Sequence, residues 1–179
     1  EQYFLGYDNW VSLLRKDLGE EDEVFNLAIG GETTKGLLKR LDVELKARNP
    51  EIVIIRIGCN DSRFNNKTEK IVEIPFSKFK KNIKKIIKIC KKYSQKIVFI
   101  GNIPCDESKT TPTIWSLTEY FTNESLEKYD KVIGKICGED EILFLELFSF
   151  WIKTNYKRWL NEKDGLHPNK EGHKQIFKK

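Results

Sequence analysis

The sequence predicts an α/β fold, a flavodoxin-like three-layer α/β/α arrangement around a parallel sheet. Three observations predict it. Short β-branched runs alternate with segments of helical periodicity along the 179 residues, and strands separated by helices imply right-handed crossovers. One run, EIVIIRIG at residues 51–58, is apolar without alternation, as expected of a strand buried on both faces. The length suits one domain with a real core, and the chain contains no internal repeat, linker or low-complexity segment. Residues 1–179 are therefore read as a single domain.

The elements follow in order. DNWVSLLRKDLG at residues 8–19 reads as a helix with an Asp cap and a Gly stop. EVFNLAI at 23–29 reads as a short strand. Residues 33–50 begin with a Thr cap, place leucines and Val43 at helical spacing, and stop at Asn-Pro. The strand at 51–58 comes next, then a lysine-rich segment, KFKKNIKKIIKICKKYSQK, at 78–96. There Phe79, Ile83, Ile86, Ile87 and Cys90 share one helical face and the lysines occupy the other. KIVFIG at 96–101 is a second buried strand, and residues 102–113 form a loop with two prolines. Residues 118–137 are mostly helical, EILFLEL at 141–147 is a strand, and a helix over 171–178 closes the chain.

Composition removes several function classes. Hydrophobic residues make up 39% and charged residues 33%, which excludes a disordered chain. No apolar run approaches the roughly 20 residues needed to cross a bilayer, and Glu146 interrupts the most apolar stretch, residues 142–150. Stable membrane insertion is not expected. The four cysteines, Cys59, Cys90, Cys105 and Cys137, lack CxxC spacing. This argues against a zinc site and for free thiols in a reducing cytoplasm. The net charge is +5, with much of the excess on the lysine helix; we read this as a solvated face and expect no nucleic-acid partner. No glycine-rich phosphate loop is present, which argues against a nucleotide-binding domain.

In a parallel sheet the site lies at the C-terminal ends of the strands. Three loops fall there: NLAIGGETT, IGCNDS and DGLHPN. Together they supply a glycine amide, a side-chain amide and an Asp/His pair. A tetrahedral oxyanion needs preorganised donors about 3 Å away. Gly31 has no side chain, so its N–H can approach a substrate closely. Asn60 can offer an uncharged NH₂. His167 can take and return a proton, and Asp164 can hold the imidazole and stabilise its charged form. Asp61 reads as structural, His173 as a surface or packing residue, and Cys59 as the end of a strand rather than a nucleophile. The loop at 102–121 overhangs the expected pocket, with Trp115, Tyr120 and Phe121 as candidate substrate-binding walls.

These blocks resemble those of the SGNH hydrolases, the GDSL esterase/lipase family. NLAIGGETT is similar to the family's second block, whose glycine, here Gly31, gives an oxyanion N–H. GCND is similar to the third, whose asparagine, here Asn60, completes the oxyanion hole. DGLHPN is similar to the fifth, whose acid and base are here Asp164 and His167. The resemblance implies hydrolysis of a carboxylic ester through an acyl-enzyme. Candidate substrates are an O-acetyl sugar, a lysophospholipid or a thioester. It implies no metal and no organic cofactor. The family's first block, with its nucleophilic serine on the first strand, has no counterpart in residues 1–179. The resemblance therefore places that strand upstream of Glu1, between the strands at 23–29 and 51–58. The rival expectation is a non-catalytic binding domain that has lost its nucleophile.

Overall fold

A computed structural model describes residues 9–66 and 68–179. Helix α1 (Trp10–Leu18) is capped by Asn9, whose side chain accepts a hydrogen bond from Ser12 N at 3.0 Å. The expected cap, Asp8, lies outside the described residues. Helix α2 (Thr34–Arg48) buries Leu37, Leu41 and Leu45 and ends where Asn49 turns left-handed. Val43 is 70% exposed. Its spacing suggested the leucine face, but it falls on the solvent side.

Strand β1 (Ile52–Ile55) leads into a single turn, α3 (Cys59–Ser62), and two short strands, β2 (Phe64–Asn65) and β3 (Ile71–Val72). Helix α4 (Phe76–Cys90), β4 (Lys96–Ile100), α5 (Glu107–Thr110) and β5 (Glu119–Tyr120) follow. The chain continues through α6 (Asn123–Glu139), β6 (Leu143–Leu145), α7 (Phe148–Ile152), a 3-10 turn (Tyr156–Trp159) and α8 (Lys170–Phe177). The parallel sheet has the order β1-β4-β6, with Val53 opposite Ile97 and Phe99 opposite Phe144.

Two cores sandwich this sheet. Helices α2, α4 and α6 cover one face, where Val53, Ile55 and Phe99 meet Leu41, Phe79, Ile83, Ile87 and Ile133. All five apolar positions predicted for the lysine helix are buried. On the other face Ile100 packs with Leu147, Trp151, Trp159, Leu160 and Ile176, joined by Trp10 and Leu145. Both cores are apolar contacts, each large side chain contributing about 1.5–3 kcal/mol on burial.

Two expectations fail in this part of the fold. Residues 23–29, read as a strand, enter no ladder among the described residues, and Phe25 and Ile29 are exposed. A strand is stable only where its backbone groups find a neighbouring strand, and among the described residues no strand pairs with this segment. The run at 51–58 was expected to be buried on both faces, yet Ile52 and Ile54 are exposed while Val53 and Ile55 are buried. The second core reaches only the C-terminal end of the sheet, through Ile100 and Leu145. Among the described residues β1 pairs with β4 alone.

A small antiparallel sheet, β3-β2-β5, was not foreseen, because two-residue strands carry no readable period. It takes up residues expected to begin the helix at 118. Helix α6 starts instead at Asn123, with Thr122 as its cap, accepting from Ser125 N at 3.3 Å. Among the described residues no helix is long and apolar enough to cross a membrane.

Candidate active site

DGLHPN is built as a turn that also presents a base. One carboxylate oxygen of Asp164, Oδ1, accepts from the backbone N–H of Leu166 at 2.8 Å and of His167 at 2.9 Å. The other, Oδ2, lies 3.0 Å from His167 Nδ1. Burial by itself would raise the Asp164 pKa, but the hydrogen bonds from the His167 ring and from the two N–H groups hold it below the usual carboxylate range. An ionised carboxylate can only accept, so the Nδ1 hydrogen belongs to the ring and Nε2 is left as the basic nitrogen. The Asp164 side chain is 14% exposed and that of His167 41%: the acid is sheltered and the base reaches solvent.

The loop cannot take another shape easily. Gly165 has φ +64°, and a Cβ there would sit 2.9 Å from Asp106 Cβ. Its carbonyl accepts from Asp106 N at 2.7 Å, which ties the turn to the segment after β4. Asp106 itself is ion-paired with Lys157 at 2.7 Å. Asn169 ends the loop by capping α8, accepting from Gly172 N at 2.9 Å and donating to the Leu160 carbonyl at 3.0 Å.

The other half of the site is organised around Asn60 and Asp61. Asn60 Nδ2 donates to the Glu32 carbonyl at 3.1 Å, next to Gly31. An amide nitrogen carries two hydrogens, so this bond leaves one for a ligand. Gly31 has φ +73° and nothing within 4 Å of where a Cβ would stand, so its backbone is open to approach. Asp61 is fully buried and accepts from Thr34 N at 3.1 and 3.0 Å and from the Thr34 hydroxyl. That hydroxyl in turn accepts from Asn82 Nδ2 at 2.8 Å. Burial pushes the Asp61 carboxyl up to about 6 despite these bonds. Glu32 is anchored by Arg40, whose Nε lies 2.9 Å from it.

One apolar cluster lies beside both segments. Cys59, beside Asn60, packs against the cluster that contains Leu166, beside His167, together with Cys105, Phe121, Leu126 and Phe148. The arrangement offers a carboxylate-oriented imidazole, a side-chain amide and an open glycine backbone, the parts that proton transfer and oxyanion stabilisation require.

The wall residues divide. The Trp115 ring lies 6.2 Å from the His167 ring, inclined at 48°, and the residue is 47% exposed. Tyr120 stacks on Phe64 with centroids 5.4 Å apart and donates to the Leu117 carbonyl at 3.1 Å. Phe121 is 1% exposed and belongs to the packed cluster. It is therefore core and not a substrate wall, packed with Cys105, Leu126, Phe148 and Leu166. His173 is fully buried and accepts from Trp10 N at 3.3 Å, joining α8 to α1. Sequence reasoning passed over Thr34 and Asn82. Asn82 left a signal, a polar residue three positions after Phe79 on the apolar face of α4.

Residues 2–175 match the GDSL-like Lipase/Acylhydrolase family. The chain is 23% identical over 184 residues to the GDSL esterase/lipase CPRD49 of Arabidopsis thaliana, covering 98% of this chain and 71% of that protein. It is 22% identical over 170 residues to Esterase TesA of Pseudomonas aeruginosa, covering 92% and 73%. The fold is similar to that of a lipase/acylhydrolase from Enterococcus faecalis, with a TM-score of 0.77 at 21% identity over 94% of this chain and 80% of the other. It is also similar to Axe2, an acetylxylan esterase from Geobacillus stearothermophilus, with a TM-score of 0.71 at 20% identity over 96% and 78%. With a family match running almost from end to end, the chain belongs to the GDSL-like lipase/acylhydrolase family.

Proposed function

We propose that this protein hydrolyses carboxylic esters through a serine acyl-enzyme. The observation that carries the reading is the 3.0 Å contact between Asp164 and His167, with the acid sheltered and the imidazole reaching solvent. In the proposed reaction a serine hydroxyl attacks the acyl carbonyl and His167 Nε2 takes its proton. Asp164 stabilises the imidazolium. The Gly31 N–H and the free hydrogen of the Asn60 amide hold the oxyanion. His167 then protonates the leaving alcohol, and water releases the acid. An O-acetyl sugar, a lysophospholipid and a thioester are the substrate classes we consider.

The nucleophile we assign is a serine on a strand upstream of residue 1. Supporting this, β1 pairs on one side only among the described residues, and residues 23–29 carry strand-like sequence without a ladder. A strand inserted between them would pair both.

The test is hydrolysis of p-nitrophenyl acetate, butyrate and longer esters by the full-length protein, with a fluorophosphonate probe to mark the nucleophile. We expect turnover, labelling of one upstream serine, and a loss of about 10³-fold or more in kcat for His167→Ala. Absence of both turnover and labelling would replace this reading with that of a non-catalytic binding domain.

A further inference from the structure

Trp115 is a large apolar side chain half exposed beside the base, and it is not loose. Its indole Nε1 donates to Glu119 Oε2 at 2.8 Å. The other oxygen of that carboxylate pairs with Arg63 Nη1 at 3.0 Å, and Arg63 Nη2 pairs with Glu73 at 3.1 Å. Glu119 belongs to β5, Arg63 precedes β2 and Glu73 follows β3. The small antiparallel sheet, which contributes little to the main cores, thus serves as the mount for this clamp. Ile114 and Leu117, on the same loop, are 62% and 82% exposed and extend the apolar surface.

Holding an exposed indole in one orientation costs side-chain entropy and leaves apolar area in water. The return is a rigid flat platform. Its position says which part of a substrate it meets. Resting on the esterase reading above, His167 protonates the departing alcohol, and the Trp115 ring is its aromatic neighbour at 6.2 Å; that neighbourhood is taken as the alcohol side of the scissile bond. A flat aromatic face favours a partner that is itself flat and carries C–H edges or a π-face.

We propose that Trp115, clamped by Glu119 and Arg63, is the specificity residue for the leaving group, and that it selects esters of ring-shaped alcohols by stacking. A pyranose and a phenol share this chemistry, and both satisfy the geometry. Trp115 takes no part in proton transfer, so it sets how ring esters are positioned and not the intrinsic rate of acyl transfer.

The experiment compares three acetates that share an acyl group: ethyl acetate, phenyl acetate and an acetylated methyl xylopyranoside. Full-length wild type, Trp115→Ala, Trp115→Phe and Glu119→Gln are assayed for kcat/KM on each. For Trp115→Ala we expect a roughly three- to tenfold loss on a ring ester and under twofold on ethyl acetate. Trp115→Phe should restore most of the loss, and Glu119→Gln should give an intermediate loss confined to the same substrates. A loss on phenyl acetate alone identifies an aryl leaving group, and a loss on the xyloside alone a sugar; either supports the platform. Equal losses on all three esters, or none, overturn the inference while leaving the esterase reading intact. A wild type inert toward all three acetates overturns the inference; if it is also inert toward the longer p-nitrophenyl esters and unlabelled by the fluorophosphonate, the esterase reading falls with it.

Discussion

The two candidate segments are each arranged by an aspartate, one partly sheltered and one fully buried, by different routes. Asp164 accepts from Leu166 N, His167 N and the His167 ring, all within three residues. Asp61 accepts from Thr34, 27 residues away, and Thr34 in turn is held by Asn82 across 48 residues. The carboxyl pKa values part accordingly. Local donors keep Asp164 below the usual range, while burial drives Asp61 up to about 6. The Asp164–His167 turn takes its side-chain geometry from local bonds, although Gly165 also ties it to Asp106. The Thr34–Asp61–Asn82 bonds beside Asn60 exist only when α2, α3 and α4 are packed together.

The largest effect expected from testing this contrast lies in the long-range half. In an active full-length protein, Asn60→Ala should lower kcat by roughly 10² to 10³, or about 3–4 kcal/mol in barrier, with the thermal midpoint nearly unchanged. Wild-type turnover in that variant would show that this amide does not hold the oxyanion.

Next in size is Gly165→Ala, which strikes the local half. A left-handed φ of +64° and contacts of 2.9–3.2 Å for the added Cβ should cost about 2–3 kcal/mol of stability in urea unfolding. Gly31→Ala, equally left-handed but uncrowded, should cost about 1 kcal/mol. Equal costs at the two sites would contradict the difference in packing.

The smallest effect separates the two aspartates by pH. The folded pKa of Asp61 is raised, so its contribution to stability is fully present below the unfolded value of about 4 and is lost as pH rises through about 6. The stability of Asp61→Asn relative to wild type should therefore climb by roughly 1 kcal/mol between pH 5 and pH 8. Asp164 is lowered, so its contribution is present above about pH 4 and lost only in stronger acid. Asp164→Asn should show no corresponding climb over the same range. Parallel pH curves for the two variants would refute the opposed shifts.

The same division explains what could be read from sequence. DGLHPN was legible because its spacing contains its geometry: acid, turn glycine, base and helix cap follow within six residues. The face of α4 was legible because five apolar positions repeat at helical period. Residues 23–29 were misread because strand composition describes a preference, while a strand requires a paired neighbour. The short strands β2, which Arg63 precedes, and β5, which holds Glu119, left no periodic trace. Phe121 was read as a wall because it lies beside Tyr120 in sequence; its burial comes from packing against Cys105, Leu126, Phe148 and Leu166, distant in the chain or unmarked by any period. Asn60 and Gly31 were singled out from their loops and donor chemistry, and again by resemblance to a family pattern; the Thr34–Asp61–Asn82 bonds beside them appear only in the folded chain.

The central claim is that Gly31, Asn60 and His167 converge on one reacting carbon. The most direct measurement is a crystal structure of the full-length protein carrying a covalent phosphonate on its nucleophile. The account predicts one phosphoryl oxygen about 3 Å from both Gly31 N and Asn60 Nδ2, with His167 Nε2 facing the position of the leaving group. A phosphonate oxygen that contacts neither donor, or a phosphonate attached away from His167, would contradict it.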